Sequence, residues 1–235
     1  MNWRHVRRKV GSLLYPPVCV ICREHLMEKH GLACKACEKL LPRVQPPYCP
    51  GCGGTIDGIL TSCADCVRYD RPWQDAVTCF VFAGEARQLI HRYKYLGDVA
   101  LVRYLSEQVY LAWKKHASGS PDILVSVPLH WRRQLKRGYN QSALLAQSLS
   151  ERIQVPVITG LARTAYTKPQ AGLTLAARRQ NTRKAFAVKS NFEFSGKRVL
   201  LCDDVFTTGS TLEACTAELL QAGAAAVDVL TLARG

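Results

Sequence analysis

Two adjacent carboxylates, Asp203 and Asp204, stand between an apolar run, Val199-Leu200-Leu201-Cys202, and a turn rich in hydroxyls, Thr207-Thr208-Gly209-Ser210-Thr211. Free backbone N–H groups at a helix start, together with the Thr207, Thr208, Ser210 and Thr211 hydroxyls, make a phosphate cradle, and Gly209 permits close approach of the chain to the anion. The acids cannot ligate phosphate, because like charges repel, so they must face hydroxyls or a metal ion. A phosphate cradle directly after a hydroxyl-binding acidic pair fits a sugar phosphate with a vicinal diol. The plainer alternative is a helix N-cap turn behind two solvated strand-end acids. No Walker A spacing occurs, so an ATPase is not supported.

The second set of chemistry-bearing residues lies near the N-terminus, where eight cysteines form four CxxC pairs: Cys19 and Cys22, Cys34 and Cys37, Cys49 and Cys52, Cys63 and Cys66. Two-residue spacing lets both thiolates of a pair point at one ion, and tetrahedral Zn²⁺ needs two such pairs, so the eight thiolates serve two zinc sites. Sequential pairing puts Cys19, Cys22, Cys34 and Cys37 on one ion and Cys49, Cys52, Cys63 and Cys66 on the other; a cross-brace is the alternative. With every ligand a cysteine, no position is left for catalytic water, and the zinc is expected to be structural. The small residues of Cys49-Pro50-Gly51-Cys52-Gly53 free backbone N–H groups to bond the sulfurs. Disulfides are the competing reading, but they need an oxidising compartment and an export signal. The basic start, with Arg4, Arg7, Arg8 and Lys9, leads into an apolar stretch broken by Pro16 and Pro17 without a cleavage signature. A reducing, cytoplasmic setting is therefore expected. Cys79, Cys202 and Cys215 sit in apolar patterns and read as small buried hydrophobes.

These residues need elements to position them. Val199 to Leu201 are too apolar for a surface strand and suit a buried parallel strand; after the turn, Leu212, Cys215 and Leu219 repeat at helical spacing, and Gly223 supplies the stop. That order puts Asp203 to Thr211 at the carboxyl edge of an α/β sheet, where ligands of such folds bind. Val77 to Phe82 reads as a strand, Ala86 to Tyr95 and Val99 to His116 as helices, and Ile123 to Val127 as a second buried strand ending at Pro128. The basic stretch from His130 to Gln141 is expected to be a loop at that strand's end. Its Arg132, Arg133, Lys136 and Arg137 suit a pyrophosphate, or more generally any polyanion. A helix with Leu144, Leu145, Leu149 and Ile153 facing inward follows. The polar segment from Arg163 to Phe186 is expected to close over a charged ligand, with an ordinary exposed loop as the alternative.

Trp3, Val6, Val10, Leu13 and Leu14 lie at helical spacing, which predicts an amphipathic helix over residues 1–14. A zinc module is expected over residues 15–71, with Arg71-Pro72-Trp73 as its boundary, and the main domain over residues 72–235. The 235 residues are 48% hydrophobic, enough for one substantial core, and the net charge of +14 predicts attraction to polyanions, whether nucleic acid or phosphorylated ligands. Most of the excess lies between Pro121 and Lys189, where Asp122 and Glu151 are the acids. No run is long enough to span a bilayer, so an integral membrane protein is not expected.

The stretch from Asp203 to Thr211 resembles the phosphoribosyl pyrophosphate (PRPP) motif of type I phosphoribosyltransferases. Nearly the whole chain resembles the ComF/GntX family, the competence-protein branch of phosphoribosyltransferase-like proteins. The likeness rests on the four CxxC pairs with Cys-Pro-Gly-Cys-Gly, on Ile90-His91-Arg92-Tyr93-Lys94-Tyr95-Leu96-Gly97-Asp98, Val127-Pro128-Leu129-His130 and Arg137-Gly138-Tyr139-Asn140-Gln141, on the spaced Arg163, Thr167, Gln170, Arg178 and Asn181, and on Asp203-Asp204 through Thr211. Cys202 stands where an aliphatic residue is commoner. The resemblance implies an α/β fold of the type I phosphoribosyltransferase kind, a parallel sheet with helices on both faces behind a small N-terminal double zinc ribbon. It also implies binding of PRPP with Mg²⁺, and a role in DNA uptake during natural transformation. Single-stranded DNA and other DNA-uptake proteins are then the partners, met in the cytosol or peripherally at the inner face of the membrane. In such a site Asp203 and Asp204 hold the ribose hydroxyls, Thr207 to Thr211 the 5-phosphate, and Arg132, Arg133 and Arg137 the pyrophosphate, while the segment from Arg163 keeps water out. Two further readings stay open: a salvage transferase acting on an unidentified base, and a PRPP-responsive regulator without turnover.

Overall fold

The computed structural model describes residues 17–26, 31–164 and 185–235. The helix expected over residues 1–14, and the part of the ligand-closing segment from Ala165 to Lys184 with Thr167, Gln170, Arg178 and Asn181, lie outside the described residues. In chain order the elements begin with two short helices, α1 (Lys35–Leu40) and α2 (Ala64–Arg68), strand β1 (Ala76–Val81) and helices α3 (Gly84–Tyr95) and α4 (Leu101–His116). Strand β2 (Ile123–Ser126), helices α5 (Trp131–Arg137) and α6 (Gln141–Ile153), and strands β3 (Val157–Ile158), β4 (Leu161–Arg163) and β5 (Phe186–Val188) follow. The chain closes with β6 (Arg198–Phe206), α7 (Ser210–Gln221) and β7 (Ala226–Arg234).

Alternation along the strands builds two cores from one sheet. Val199 and Leu201 of β6 join Ile123, Val125, Val227 and Val229 on one face, while Leu200 and Cys202 join Leu124, Leu230 and Leu232 on the other. Each fully buried aliphatic side chain contributes about 1.5–3 kcal/mol, so a strand buried on both faces can dispense with the polar alternation of a surface strand. Helix α7 covers the first face with Leu212, Cys215 and Leu219; α3, α4 and α6 cover the second with Leu89, Ile90, Leu105, Leu145 and Leu149. Leu144 and Ile153, expected inward, are only partly buried. Cys79, Cys202 and Cys215 are buried as expected, at 3%, 0% and 0% exposure, and burial pushes the Cys79 and Cys202 thiols up to about 12. They are inert at neutral pH.

The sheet is wholly parallel, in the order β1-β7-β6-β2-β3. From β2 the chain continues to one side, into β3; from β6 it continues to the other, into β7. The crevice between the carboxyl ends of β2 and β6 is thus the switch point, where ligands of open α/β sheets bind.

Strand β6 and the basic stretch after β2 also differ from the sequence expectations. Strand β6 does not stop at Leu201. Its pairing with β2 ends at Ser126 opposite Cys202, but β7 continues alongside it, with Asp203 opposite Thr231 and Phe206 opposite Arg234, so the two acids are strand residues with one open edge. The basic stretch after β2 is the helix α5 rather than a loop: the His130 side chain caps its start and Gly138, at φ 80°, ends it. At the expected boundary Arg71-Pro72-Trp73 is packed, the Arg71 side chain and Trp73 being each 5% exposed. The antiparallel pair β4–β5 and the strands β3 and β7 are found in addition to the expected elements. Among the described residues no helix is long and apolar enough to cross a membrane.

Candidate functional site

Asp203 and Asp204 point to different partners, as successive strand residues must. Asp203 keeps some contact with solvent but is packed round by protein. Its Oδ1 accepts from Ser142 Oγ at 2.9 Å and from the Asp204 backbone N–H at 2.8 Å. Asp204 Oδ1 lies 2.8 Å from Lys94 Nζ at the end of α3. Burial pushes the Asp203 carboxyl up to about 7; the charge of Asp204 adds to the rise, and the Asp204 N–H, Lys94 and Ser142 oppose it. Near neutrality Asp203 therefore carries a proton part of the time.

A polar network fixes these partners. The Asn140 side chain caps α6, accepting from the N–H groups of Ser142 at 3.0 Å and Ala143 at 3.4 Å, and its Nδ2 donates to Val127 O at 3.1 Å. Ser142 is thereby held beside the end of β2. Gln141 Nε2 donates to Lys94 O at 3.2 Å, Tyr93 Oη donates to Gln141 O at 2.7 Å, and Tyr139 Oη donates to Tyr93 O. The Arg137-to-Gln141 motif therefore locks the end of α3 to the start of α6, and so sets Lys94 and Ser142 against the two acids.

Beyond the acids the chain turns into α7. Gly209 has φ 80°, and a Cβ there would come within 2.7 Å of Arg71 Nη1 and 2.9 Å of Phe206 Cζ, so glycine is required on both counts. No side chain caps the helix at Gly209. Thr208 Oγ1 and Ser210 Oγ lie 3.0 Å apart, and the Ser210 N–H reaches Thr208 Oγ1 at 3.4 Å. Asp203 and the residues from Val205 to Leu212 line a small cavity of about 30 Å³ at this turn. All five expected phosphate-binding residues, Thr207, Thr208, Gly209, Ser210 and Thr211, are among them.

The expected cationic residues divide into two groups. Arg163, on β4, stacks its guanidinium 5.2 Å from the Phe186 ring and is within electrostatic reach of Arg133 and Asp203. Its burial, and then Arg133, lower its pKa from the ordinary guanidinium value. His130 is 5% exposed and its Nδ1 accepts from the Arg132 N–H at 3.3 Å; burial, then Arg132, Arg163 and Arg133, hold its pKa below the usual imidazole range. Arg133, Arg163 and His130 thus gather together, and Arg163 links the group to Asp203. Arg132 and Arg137 are turned onto aromatic rings, Trp131 at 5.2 Å and Tyr95 at 4.7 Å, and Arg137 Nη1 donates to Gln141 Oε1 at 3.1 Å. Lys94, Ser142 and His130 were absent from the residues expected at the site. Lys94 and His130 lie inside motifs that the sequence offers, but only the packing of α3 and α6 on the sheet brings Lys94 and Ser142 to Asp204 and Asp203.

The cysteines cluster sequentially, Cys19 with Cys22, Cys34 and Cys37, and Cys49 with Cys52, Cys63 and Cys66; within each quartet the Sγ atoms lie within 4.8 Å of one another. Zn–S bonds of about 2.3 Å in a tetrahedron put sulfurs about 3.8 Å apart. Cys52 Sγ and Cys63 Sγ are at 3.7 Å, and the N–H groups of Cys34 and Cys63 donate to Cys19 Sγ and Cys49 Sγ at 3.3 Å, as the thiolates of a bound ion require. Both quartets fit structural zinc.

The model of a double zinc ribbon domain matches residues 10–77, and that of a phosphoribosyl transferase domain matches residues 99–235. Competence protein F of Haemophilus influenzae is 35% identical over 223 residues, covering 92% of this chain and 96% of that protein. DNA utilization protein YhgH of Escherichia coli K12 is 35% identical over 227 residues, covering 94% and 99%. Competence protein ComFC of Bacillus subtilis is 24% identical over 244 residues, covering 96% and 98%. With the parallel sheet, the acidic pair at its switch point and the two cysteine quartets in place, the chain belongs to the family of competence protein F, a phosphoribosyl transferase domain behind a double zinc ribbon.

Proposed function

We propose that the chain binds PRPP at the carboxyl ends of β2 and β6 and acts in DNA uptake during natural transformation, handling incoming single-stranded DNA on the cytosolic side. The observation that carries the first half is the cavity in which Asp203 and the turn from Thr207 to Thr211 meet. The second half draws on relatives named for competence and DNA utilization over nearly the whole chain, and on the net charge of +14, which favours polyanions.

In this reading the turn holds the 5-phosphate with its N–H groups and hydroxyls, and Asp203 and Asp204 accept from the ribose 2- and 3-hydroxyls or from water on a bound cation. Magnesium arriving with PRPP would spread the charge of the diphosphate. Arg163, which reaches Asp203, and Arg133 next to it face the diphosphate, with Arg132 and Arg137 joining by leaving their aromatic rings. Were the C1–O bond to break, its electron pair would go to pyrophosphate and the ring would carry oxocarbenium charge, which the half-buried acids would stabilise when ionised. An acceptor lone pair would then complete the bond to C1.

Calorimetry with PRPP and magnesium tests the site: a Kd unchanged in Asp203→Asn/Asp204→Asn would overturn it. Pyrophosphate release with a panel of bases and with single-stranded DNA separates turnover from binding alone. Gel shifts at low ionic strength test the strand, and no shift there would sink direct DNA contact.

A further inference from the structure

A turn that contains a left-handed glycine and no side-chain cap takes its rigidity from outside. Here the outside support is Arg71. Its Nη1 donates to Thr208 O at 3.1 Å, and the same guanidinium pairs with Glu213 in the first turn of α7. The rings of Trp73 and Phe206 hold it at 5.5 and 5.4 Å. Behind the guanidinium lies the second cysteine quartet: a Cβ on Gly51 would come 2.8 Å from Cys66 Sγ and 3.4 Å from Arg71 Cγ, and Arg71 interacts with the Cys66 thiol. A second arginine approaches the same quartet. Arg234 Nε donates to Cys52 Sγ at 3.2 Å and its Nη2 pairs with Asp65 at 2.9 Å, while its backbone stands opposite Phe206 in the sheet and Gly235 N–H donates to Phe206 O at 2.9 Å.

Four thiolates around one zinc ion carry a net charge of about −2, which attracts both guanidinium groups, although each also pairs with a carboxylate, Arg71 with Glu213 and Arg234 with Asp65. Zinc would fix the Cys66 end of the quartet against Gly51 and the Arg71 side chain; without the ion that wall is no longer held, and Arg71 loses one side of the packing that aims it at the Thr208 carbonyl.

We infer that Arg71 is a positioning residue that makes the second zinc site part of the ligand site, holding the Thr207-to-Thr211 turn in its binding shape while that zinc is in place. Among the described residues the first cysteine quartet is linked instead to α3, where Arg92 Nη1 donates to Ile21 O at 2.9 Å. The inference rests on the reading of this turn as a phosphate site.

The test uses the full-length, zinc-loaded protein, with three readouts: zinc content, hydrogen exchange of the amides from Thr207 to Glu213, and calorimetric binding of ribose 5-phosphate. Arg71→Met, which loses a charge-assisted hydrogen bond to the Thr208 carbonyl, should speed exchange of these amides and weaken ribose 5-phosphate binding by about tenfold or more. Arg71→Lys, which keeps the charge but cannot bridge Thr208 and Glu213 together, should fall between and serves if the methionine variant does not fold. Cys66→Ser, losing the second zinc, should loosen the turn, while Cys22→Ser, losing the first, should not. Wild-type exchange at the turn in both Arg71 variants would overturn the inference, as would equal loosening by Cys22→Ser. If ribose 5-phosphate fails to bind the wild type, the phosphate reading falls, and the exchange data still decide the coupling.

Discussion

Lys94 at the end of α3 reaches across to Asp204 at the end of β6, Nζ to Oδ1 at 2.8 Å, with both side chains about one-sixth exposed at 16% and 15%. The pair is what allows two neighbouring carboxylates to sit in a partly buried crevice. Removing one partner of such a pair leaves a poorly solvated charge, costing about 1–3 kcal/mol where some solvent still enters. Lys94→Met should therefore lower the melting temperature, and more at pH 8 than at pH 6, because at the lower pH Asp203 carries its proton and the repulsion between the acids is relieved. An equal shift at both pH values, read by differential scanning fluorimetry, would show that Lys94 does not serve the acidic pair.

Asp203 itself gives a pH dependence of definite sign. Its carboxyl is raised from the ordinary 3.8 to about 7, burial being the main cause. Between about pH 4 and 7 the native state keeps a proton that the unfolded state has lost, so stability falls as pH rises through this window. Asp203→Asn removes that penalty while keeping an oxygen for Ser142. The variant's melting temperature should be flatter from pH 5 to pH 8 and higher than wild type at pH 8, by about 2–4 °C for each kcal/mol relieved. A variant that keeps the wild-type slope would assign the pH dependence to another group.

How much of this was legible in the sequence depends on the range of the interaction. The strand-turn-helix around Asp203 and each cysteine quartet lie within segments of about twenty residues, and periodicity or CxxC spacing reports them directly. Strand β6 reads short because its last four residues are not uniformly apolar; they remain in the sheet because β7 continues beside them. Helix α5 was hidden by a composition that looks like a cationic loop, although the capping His130 and the terminating Gly138 were both visible. Lys94, Ser142 and Arg71 reach the site from 110, 61 and 137 residues away, counted to Asp204, Asp203 and Thr208, and no local pattern encodes that.

Gly209 and Gly138 share φ 80°, but differ in surroundings: a Cβ at Gly138 meets nothing within 4 Å, whereas at Gly209 it meets Arg71 and Phe206. The left-handed conformation alone costs an alanine about 1–2 kcal/mol. Gly138→Ala should lose about that much stability and keep ligand binding. Gly209→Ala must also displace Arg71 or Phe206, and should lose more stability together with PRPP affinity. Similar losses in denaturant titrations of the two variants would mean that the Gly209 turn yields more easily than its contacts indicate.

Two closed quartets predict two zinc ions per chain by metal analysis, with unequal consequences on loss. Cys49 and Cys52 are 0% exposed and belong to the same core as Trp73, Phe206 and Leu212, whereas the first quartet includes Cys22, which is exposed. Metal-binding energy is folding energy where the ligands come together only in the native state. Cys49→Ser should leave one zinc and destabilise the whole chain by about 3 kcal/mol or more, since it also opens the main core. Cys22→Ser should leave one zinc as well, yet loosen chiefly the first cysteine segment, with a smaller fall in the melting temperature. Fewer than two ions in the wild type would contradict the double-ribbon reading. Equal destabilisation by the two variants would show that the first quartet supports the sheet as strongly as the second, despite its more open position.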